Sequence, residues 1–583
     1  MLRMTSLEHQ RHTLAHLLAS VVIEKYPHAL PTIGPAIDNG FYYDFDFSAG
    51  IAPGEDDLKD LTKAMRKALN KWTAFEHEVV SPEKAREVFA HNTFKRELID
   101  ELATKGETIT LYTCGGFTDL CRGGHAEAPN KEISGDSFKL SRIAGAYWRG
   151  DEKNPALTRI YGLAFESAEA LAAYEQQQEE AKKRDHRKLG EELDLFHFEE
   201  SIGKGLPIWL PKGNIIKEEL EKWAKETEAA WGYQRITTPL ITKEDLFYTS
   251  GHLPLYKESM YAPIQIEDEN YYIKPMNCPF HHKTFAARPK SYRDLPVRYA
   301  EYGWCHRYED SGSLFGLMRV RGMQMNDAHI YIQKEHAVEE FVRVIQLHEY
   351  YYKVLGITNY EMELALRDPK KMDKYHGEES DWKDAERMTV EAMEKSGVPF
   401  KIVNEGAAFY GPKMDFQIFS SIGRAFTAST NQLDLFMGKR FELEYVDKDG
   451  TKKTPAVIHR APLGTHERFI GFLIEHFAGA FPLWLSPEQV RILPVSEKHA
   501  DYAHEVLAQL QAAGIRVSVA ADDSLGKRIR DAKVHKLPYT LVVGDAEVEA
   551  RTATLEGRAG KIGVFSIAEI TERLATEIRT RAL

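Results

Sequence analysis

Between Glu175 and Leu189 the chain reads Glu-Gln-Gln-Gln-Glu-Glu-Ala-Lys-Lys-Arg-Asp-His-Arg-Lys-Leu, with no proline or glycine until Gly190. So dense a run of charge does not enter a core, because burying an unpaired charge is prohibitively unfavourable. With no breaker inside it, the run reads as an exposed helical connector over 173–193. The chain must then fold as separate bodies on either side. Its 583 residues are too many for a single core and predict three or four domains.

The segment 1–172 mixes a helix near its start with strand-like runs such as Asn39-Gly-Phe-Tyr-Tyr-Asp-Phe-Asp46 and Ala146-Tyr-Trp-Arg149. The segment 194–484 is the largest and holds most of the polar residues set among β-formers. In 485–583 a strand (Val490–Pro494), a helix (Ala500–Ala513), a strand (Ile515–Val519), a basic helix and a strand (Tyr539–Val543) alternate. That order predicts a small α/β domain with a largely parallel sheet. The whole is a multidomain α+β chain.

Composition narrows the class. Hydrophobic residues at 43% and charged residues at 28% are the balance of a soluble globular protein, and no apolar run reaches the ~18 residues needed to span a bilayer. The opening Met1-Leu-Arg-Met-Thr-Ser-Leu-Glu-His9 lacks the apolar core and cleavage site of a signal peptide. Four cysteines (Cys114, Cys121, Cys278, Cys305) are too few for a disulfide framework. The expectation is a cytoplasmic protein with reduced thiols and no membrane partner. A net charge of −12 does not exclude nucleic acid, since phosphate binding depends on where positive charge sits. Lys527, Arg530, Lys533 and Lys536 recur at three-residue spacing, which on a helix is either a basic stripe for RNA or a solvated face.

Three signals recur in order through 194–484. Gly232-Tyr-Gln-Arg-Ile-Thr-Thr-Pro239 suits a helix passing into an edge strand. Cys305-His-Arg-Tyr-Glu309 sets Arg307 and Glu309 two apart, on one face of a strand. There an arginine grips phosphate or carboxylate in its planar fork, and a glutamate accepts from an adenine amino group. Leu463-Gly-Thr-His-Glu-Arg468 runs from a glycine turn into an apolar helix, with Arg468 at the helix start, where phosphate is favoured. In this order the three resemble motifs 1, 2 and 3 of class II aminoacyl-tRNA synthetases. Lys274-Pro-Met-Asn-Cys-Pro279, Leu317-Met-Arg-Val-Arg-Gly322, Asp327-Ala-His329, Phe409-Tyr-Gly-Pro-Lys413, Gln432-Leu-Asp434 and Ile458-His-Arg460 resemble, more narrowly, the threonyl-tRNA synthetases. The resemblance runs from His12 to the C-terminus.

Cys278, His329 and His459 lie far apart in sequence, each among strand-like residues. Three protein ligands with an open fourth position is the zinc arrangement that binds a substrate. The resemblance implies one Zn²⁺ per chain at these positions, coordinating the amino and hydroxyl groups of L-threonine and refusing valine. It further implies that Arg307 holds the α-phosphate and carboxylate, that Arg468 holds the γ-phosphate of ATP with its Mg²⁺, and that Glu309 serves the same motif. Asp327 supports the substrate hydroxyl, while Met276, Arg319, Tyr410, Lys413 and Gln432 line the pocket. An antiparallel-sheet catalytic domain over 194–484, an anticodon-binding domain over 485–583 and a homodimer follow from the same resemblance. Retention of both arginines and all three zinc positions favours a tRNA-charging enzyme over an RNA-binding paralogue or a hydrolase that edits in trans.

Serine differs from threonine only by a methyl, worth about 1–3 kcal/mol, so a second, hydrolytic site is needed. His12-Thr-Leu-Ala-His16 places two imidazoles one helical turn apart, and Cys121-Arg-Gly-Gly-His125 repeats the spacing after Asp119. Together they resemble the HxxxH and CxxxH site of threonyl and alanyl editing domains, with Lys95 and the run Ile33–Tyr43 matching as well. Such a site over 1–172 either binds Zn²⁺ or positions a water without metal. In the C-terminal domain the resemblance assigns Lys527, Arg530, Lys533 and Glu547 to contacts with tRNA(Thr).

Some positions depart from the family pattern. The small β-grasp domain common at the N-terminus of bacterial members is expected to be absent. Met325 stands where a glutamine is usual, Phe280 where a glycine is usual, and Thr427-Ala-Ser-Thr430 where Gln-Cys-Gly-Thr is usual. Glu556-Gly-Arg-Ala-Gly560 replaces a more basic run, which is expected to weaken or alter anticodon contact.

Overall fold

The computed structural model describes residues 6–368, 370–419 and 425–583. The reading of the N-terminus as lacking a signal peptide rests partly on Met1–Thr5, which lie outside the described residues. The chain divides into two compact units, Met1–Glu179 and Glu180–Leu583.

In the first unit the helix Ser6–Lys25 buries Leu14, Leu17, Leu18, Val21 and Val22. The strand Gly40–Asp46 buries Phe41, Tyr43 and Phe45, which share one face by the two-residue period of a strand. It lies between Leu30–Pro31 and Ala156–Ala164 in an antiparallel sheet that ends at Phe138–Tyr147. A second antiparallel sheet, in the order Glu76–Val80, Ile109–Cys114, Phe117–Leu120, carries the chain toward Cys121.

The charged run folds as two helices, Ala168–Arg184 and His186–Glu192, broken at Asp185, whose carboxylate caps the second through the Arg187 N–H at 2.8 Å. Only the first matches the expected exposed connector. In the second, His186, Leu189 and Gly190 are buried. Charge density missed this because the apolar positions are few and hold a whole turn inward.

The second unit is built on an eight-stranded sheet. Its spatial order is Gln234–Arg235, Val297–His306, Gly322–Ile332, Ala456–Ala461, Ala425–Asp434, Lys413–Phe419, Tyr360–Ala365, Phe400–Val403. The interior pairs are antiparallel and the two outermost pairs are parallel. Gln234–Arg235 follows the helix Pro211–Ala230 as an edge strand, as the sequence predicts. A five-stranded C-terminal sheet places Val517–Val519, Val490–Pro494 and Tyr539–Val543 in parallel, then adds the antiparallel pair Thr552–Gly557 and Gly560–Ser566. The alternating run was legible; the antiparallel hairpin was not. Arg516, just before this sheet's edge strand, donates to Glu219 of the helix Pro211–Ala230 at 2.7 Å and to the Trp484 and Ser486 carbonyls of the linking segment.

Candidate active site and hydrolytic site

The register of three central strands sets His329 opposite His459, and His459 opposite Gln432. Directly paired residues share a face, so three far-separated motifs meet. Cys278 joins them from the first position of the helix Cys278–Ala286, not from a strand as its flanking residues predicted. One donor atom from each of Cys278, His329 and His459 lies within 4.8 Å of the others.

The wiring around these donors fits a metal. His329 Nδ1 lies 2.8 Å from His281 Nδ1, and His281 Nε2 lies 3.1 Å from Glu301. His459 Nε2 lies 2.9 Å from the buried Asp434 carboxylate. The remaining nitrogens, His329 Nε2 and His459 Nδ1, are buried and have no hydrogen-bond partner. Buried polar atoms are rarely left unpaired, and ligating imidazoles are oriented by a partner on the far nitrogen. Burial holds His329 neutral, well below its ordinary range, with His459 and His281 adding to the effect. Two nitrogens and a sulfur are a zinc donor set.

A cavity of about 590 Å³ opens beside these donors. Met276, Cys278, Arg307, Glu309, Arg319, Asp327, Tyr410, Lys413, Gln432, His459 and Arg468 all line it, so every expected activation-site residue except the deeper His329 reaches one space. The strand carrying motif 2 ends at His306. Arg307 and Glu309 therefore lie just past it, rather than on one strand face, and still face the cavity. Arg468 is the third residue of the helix His466–His476, capped by Thr465. Burial lowers the Arg468 pKa first, and the nearby Arg307 and Arg319 lower it further. Three guanidiniums that repel one another are a site waiting for a polyanion. Arg319 meanwhile pairs with Glu309 at 2.8 Å. Asp327 accepts from Asn277 at 3.0 Å, and Tyr410 donates to Gln432.

The departures separate by direction. Met325 and Thr427 line the cavity. Phe280 does not; it packs with Phe247, Leu253, Met260 and Tyr272. A bulge at Ala428 breaks the register between Phe416↔Ser429 and Gln417↔Thr427. The Ser429 hydroxyl turns to the buried His348 Nδ1 at 2.9 Å and Tyr352 hydroxyl at 2.6 Å.

In the first unit His12 and His16 project from one face of the helix Ser6–Lys25. Gly123 and Gly124 take φ of +90° and +88°, folding the Cys121–His125 loop back on itself, and a Cβ on Gly123 would meet the Tyr112 hydroxyl at 2.5 Å. Cys121 Sγ thus lies 3.5 Å from His12 Nε2 and 3.4 Å from His125 Nε2. His16 Nδ1 lies 3.1 Å from Asp119, which also meets Lys95 at 2.5 Å and accepts from Tyr43 at 2.6 Å. Burial alone would lower the His16 pKa, but Asp119 and Cys121 raise it to about 9. Burial alone would raise the Cys121 pKa, but hydrogen bonds from His12, His125 and His16 bring it to about 3. Burial keeps His125 below its ordinary value. These surroundings favour the thiolate at Cys121, the imidazolium at His16 and the neutral ring at His125.

In the C-terminal sheet domain, Lys527, Arg530 and Lys533 are exposed on the helix Leu525–Val534; Lys527 pairs with Asp523 at 2.8 Å. Lys536 lies beyond the helix end with φ +58°, so the predicted stripe is one residue shorter. Glu547, in the first turn of the helix Asp545–Ala550, accepts from Gly544 N–H at 3.0 Å and from Thr554 at 2.9 Å. Its carboxylate is engaged within the domain. Asp434, His281, Asn277 and Tyr43 were not singled out, although Asp434 and Tyr43 close quoted motifs and His281 follows Cys278 by one helical turn.

The model of the tRNA synthetase class II core domain (G, H, P, S and T) matches residues 261–477, and that of the anticodon binding domain matches 489–577. The fold and the arginine-lined cavity define a class II aminoacyl-tRNA synthetase. A threonine–tRNA ligase of Deinococcus radiodurans is 46% identical over 94% of this chain and 85% of its own length. One of Staphylococcus carnosus is 44% identical over 93% of this chain and 84% of its own length. The RNA binding domain of the threonyl-tRNA synthetase of Cryptosporidium parvum superposes with a TM-score of 0.63 at 34% identity, covering 67% of this chain and 98% of that one. The chain belongs to the threonine–tRNA ligases. Among the described residues no helix is long and apolar enough to cross a membrane.

Proposed function

We propose that the protein, a cytoplasmic homodimer, activates L-threonine with ATP, transfers it to tRNA(Thr), and hydrolyses Ser-tRNA(Thr) at the cysteine–histidine site of its first unit. The observation that carries the reading is the convergence of the Cys278, His329 and His459 donors with Arg307, Arg319 and Arg468 on one cavity. Cys278, His329 and His459 would hold Zn²⁺, which when bound supplies a Lewis acid for the amino and hydroxyl groups of threonine and none for the methyl of valine. Asp327 accepts a hydrogen bond from the substrate hydroxyl. Arg307 aligns the threonine carboxylate with the α-phosphate, and Arg468 and Arg319 draw the departing pyrophosphate, so activation rests on positioning and charge. The carboxylate oxygen attacks the α-phosphorus, the bond to the β-phosphate oxygen breaks, and threonyl-adenylate forms.

In the hydrolytic site the imidazoles and the thiolate already bond one another, unlike the unpartnered donors of the activation site. This supports water positioned without metal there. Neutral His125 takes a proton from the water as it attacks the ester carbonyl, and Lys95 and His16 offset the developing negative charge. The acyl C–O bond then breaks as His125 returns the proton to the departing ribose oxygen of the tRNA, releasing serine. The exposed cations Lys527, Arg530 and Lys533 meet tRNA phosphates. The domain limits of this reading are 1–172, 173–193, 194–484 and 485–583. Pyrophosphate exchange with threonine, weaker with serine and absent with valine, together with one zinc per chain, is the expected result. No exchange in folded, zinc-loaded protein refutes it.

A further inference from the structure

We propose that His186 is a positioning residue for ATP, clamping the loop Phe315–Arg319 so that Arg468 is held ready for phosphate. The inference rests on the reading above that Arg468 and Arg319 bind the ATP phosphates.

Asp185, His186 and Glu475 form a third group of donor atoms close enough to hold a metal. The His186 ring is already fully used. Its Nδ1 lies 2.8 Å from Glu475 Oε1, and its Nε2 lies 3.1 Å from the Leu317 backbone nitrogen. A backbone N–H only donates, so Nε2 is the acceptor and the ring proton sits on Nδ1, donated to Glu475. No lone pair is left for an ion. The His186 side chain is fully buried, so both bonds are held away from water and from competing partners.

The loop it grips is shaped for that contact. Gly316 takes φ +47°, and a Cβ there would lie 2.2 Å from His186 Nε2. The Arg187 guanidinium covers the Phe315 ring at 4.4 Å. One residue beyond Leu317, the Met318 carbonyl accepts Arg468 Nε at 3.0 Å. Using Nε in this way leaves the two terminal nitrogens of Arg468 for a ligand. Glu475 lies two turns along the same helix as Arg468. His186 therefore ties the loop to one point of that helix and Met318 ties it to another, which fixes both the height and the direction of the guanidinium. The end of the connector run, read from sequence as solvated, reaches the activation site by this route.

His186→Ala deletes both ring bonds. In pyrophosphate exchange its KM for ATP is expected to rise about tenfold, the scale of one or two lost hydrogen bonds, with KM for threonine and zinc content unchanged. His186→Gln offers an oxygen to Leu317 and an N–H to Glu475, and is expected to stay within about threefold of the parent. Glu475→Ala releases Nδ1 alone and raises KM for ATP in the same direction. The double variant is expected to be no worse than His186→Ala, because the two act as one unit. Arg468→Ala is measured alongside: if it leaves KM for ATP unchanged, the phosphate-site reading fails. If Arg468→Ala is defective while His186→Ala binds ATP normally, the positioning role alone is overturned. Uniform loss of kcat and of both KM values, without rescue by glutamine, overturns it too. Should His186→Ala fail to fold, Glu475→Ala decides, and an unchanged KM for ATP there overturns the proposal.

Discussion

Replacing Asp119 by asparagine tests the first unit at its most exposed point of logic. The carboxylate is 2% exposed and serves Lys95 at 2.5 Å, His16 at 3.1 Å and Tyr43 at 2.6 Å. Asparagine keeps the shape and one acceptor but removes the charge, leaving the Lys95 ammonium buried without a counter-ion. Breaking one side of a buried pair costs about 3–5 kcal/mol, against a domain stability of about 5–15 kcal/mol. The loss spreads to the thiolate. Without Asp119, burial dominates His16, so its pKa falls from about 9 and the imidazole turns neutral near neutral pH. Cys121 then loses a facing cation and its own pKa climbs from about 3. The variant should show faster amide hydrogen exchange across Ser6–Lys25 and Phe117–Leu120 in the full chain, and lose Ser-tRNA deacylation while keeping threonine-dependent pyrophosphate exchange. Asp119→Asn with Lys95→Met removes both charges and should recover about 2 kcal/mol or more of the stability, but not the deacylation. Exchange across the helix unchanged in the single variant, or a double variant no more stable than the single, would refute the reasoning.

Cys121 should react with iodoacetamide at a rate flat between about pH 5 and 8, because a thiol with a pKa of about 3 is already ionised throughout. Cys114, pushed up to about 11, and Cys305, pushed up to about 12, stay inert over that window, and a Cys121 rate climbing toward pH 8 would contradict the assignment. Asp434→Asn should weaken zinc retention about 10–100-fold in a chelator competition; equal retention would remove Asp434 from the metal's support. Ser429→Gly should lower stability to urea by about 1–3 kcal/mol, since His348 Nδ1 and the Tyr352 hydroxyl lose their shared partner. No change would mean that the pair finds another partner.

The residues proposed to do chemistry were legible because their types carry it. Two arginines at motif positions and a Cys–His–His set declare themselves in a linear string, and the structure brings the arginines, Cys278 and His459 to one cavity with His329 close behind. Their orienting partners were hidden. Asp434 is an ordinary aspartate until register sets its strand beside the one that carries His459, and His281 gains meaning only once Cys278 is known to open a helix. The charged run misled for a related reason. Charge count averages over a window, whereas one buried face needs only His186, Leu189 and Gly190. The strand break after His306 was also invisible, because the turn formers Asp310, Ser311 and Gly312 come only after Glu309.

The same dependence on direction decides what the departures from the family pattern can change. Phe280 enlarges an apolar cluster and stays out of the lining, whereas Ser429 lines the cavity with its hydroxyl already committed to a buried histidine and tyrosine. Met325 and Thr427 also line it. There a thioether and a short hydroxyl stand where the family pattern has longer amides, so the cavity wall offers fewer donors and acceptors to any ligand that spans it. The Thr427 hydroxyl already donates to Gln417 at 3.2 Å, which leaves it to the ligand only as an acceptor. The metal donors and the three guanidiniums lie on other segments of the same sheet and loops. On the proposed assignment of these residues, recognition of the threonine head group and the phosphates persists while the chemistry between them differs. That separation is what allows one pocket to keep its reaction and still diverge in what else it accepts.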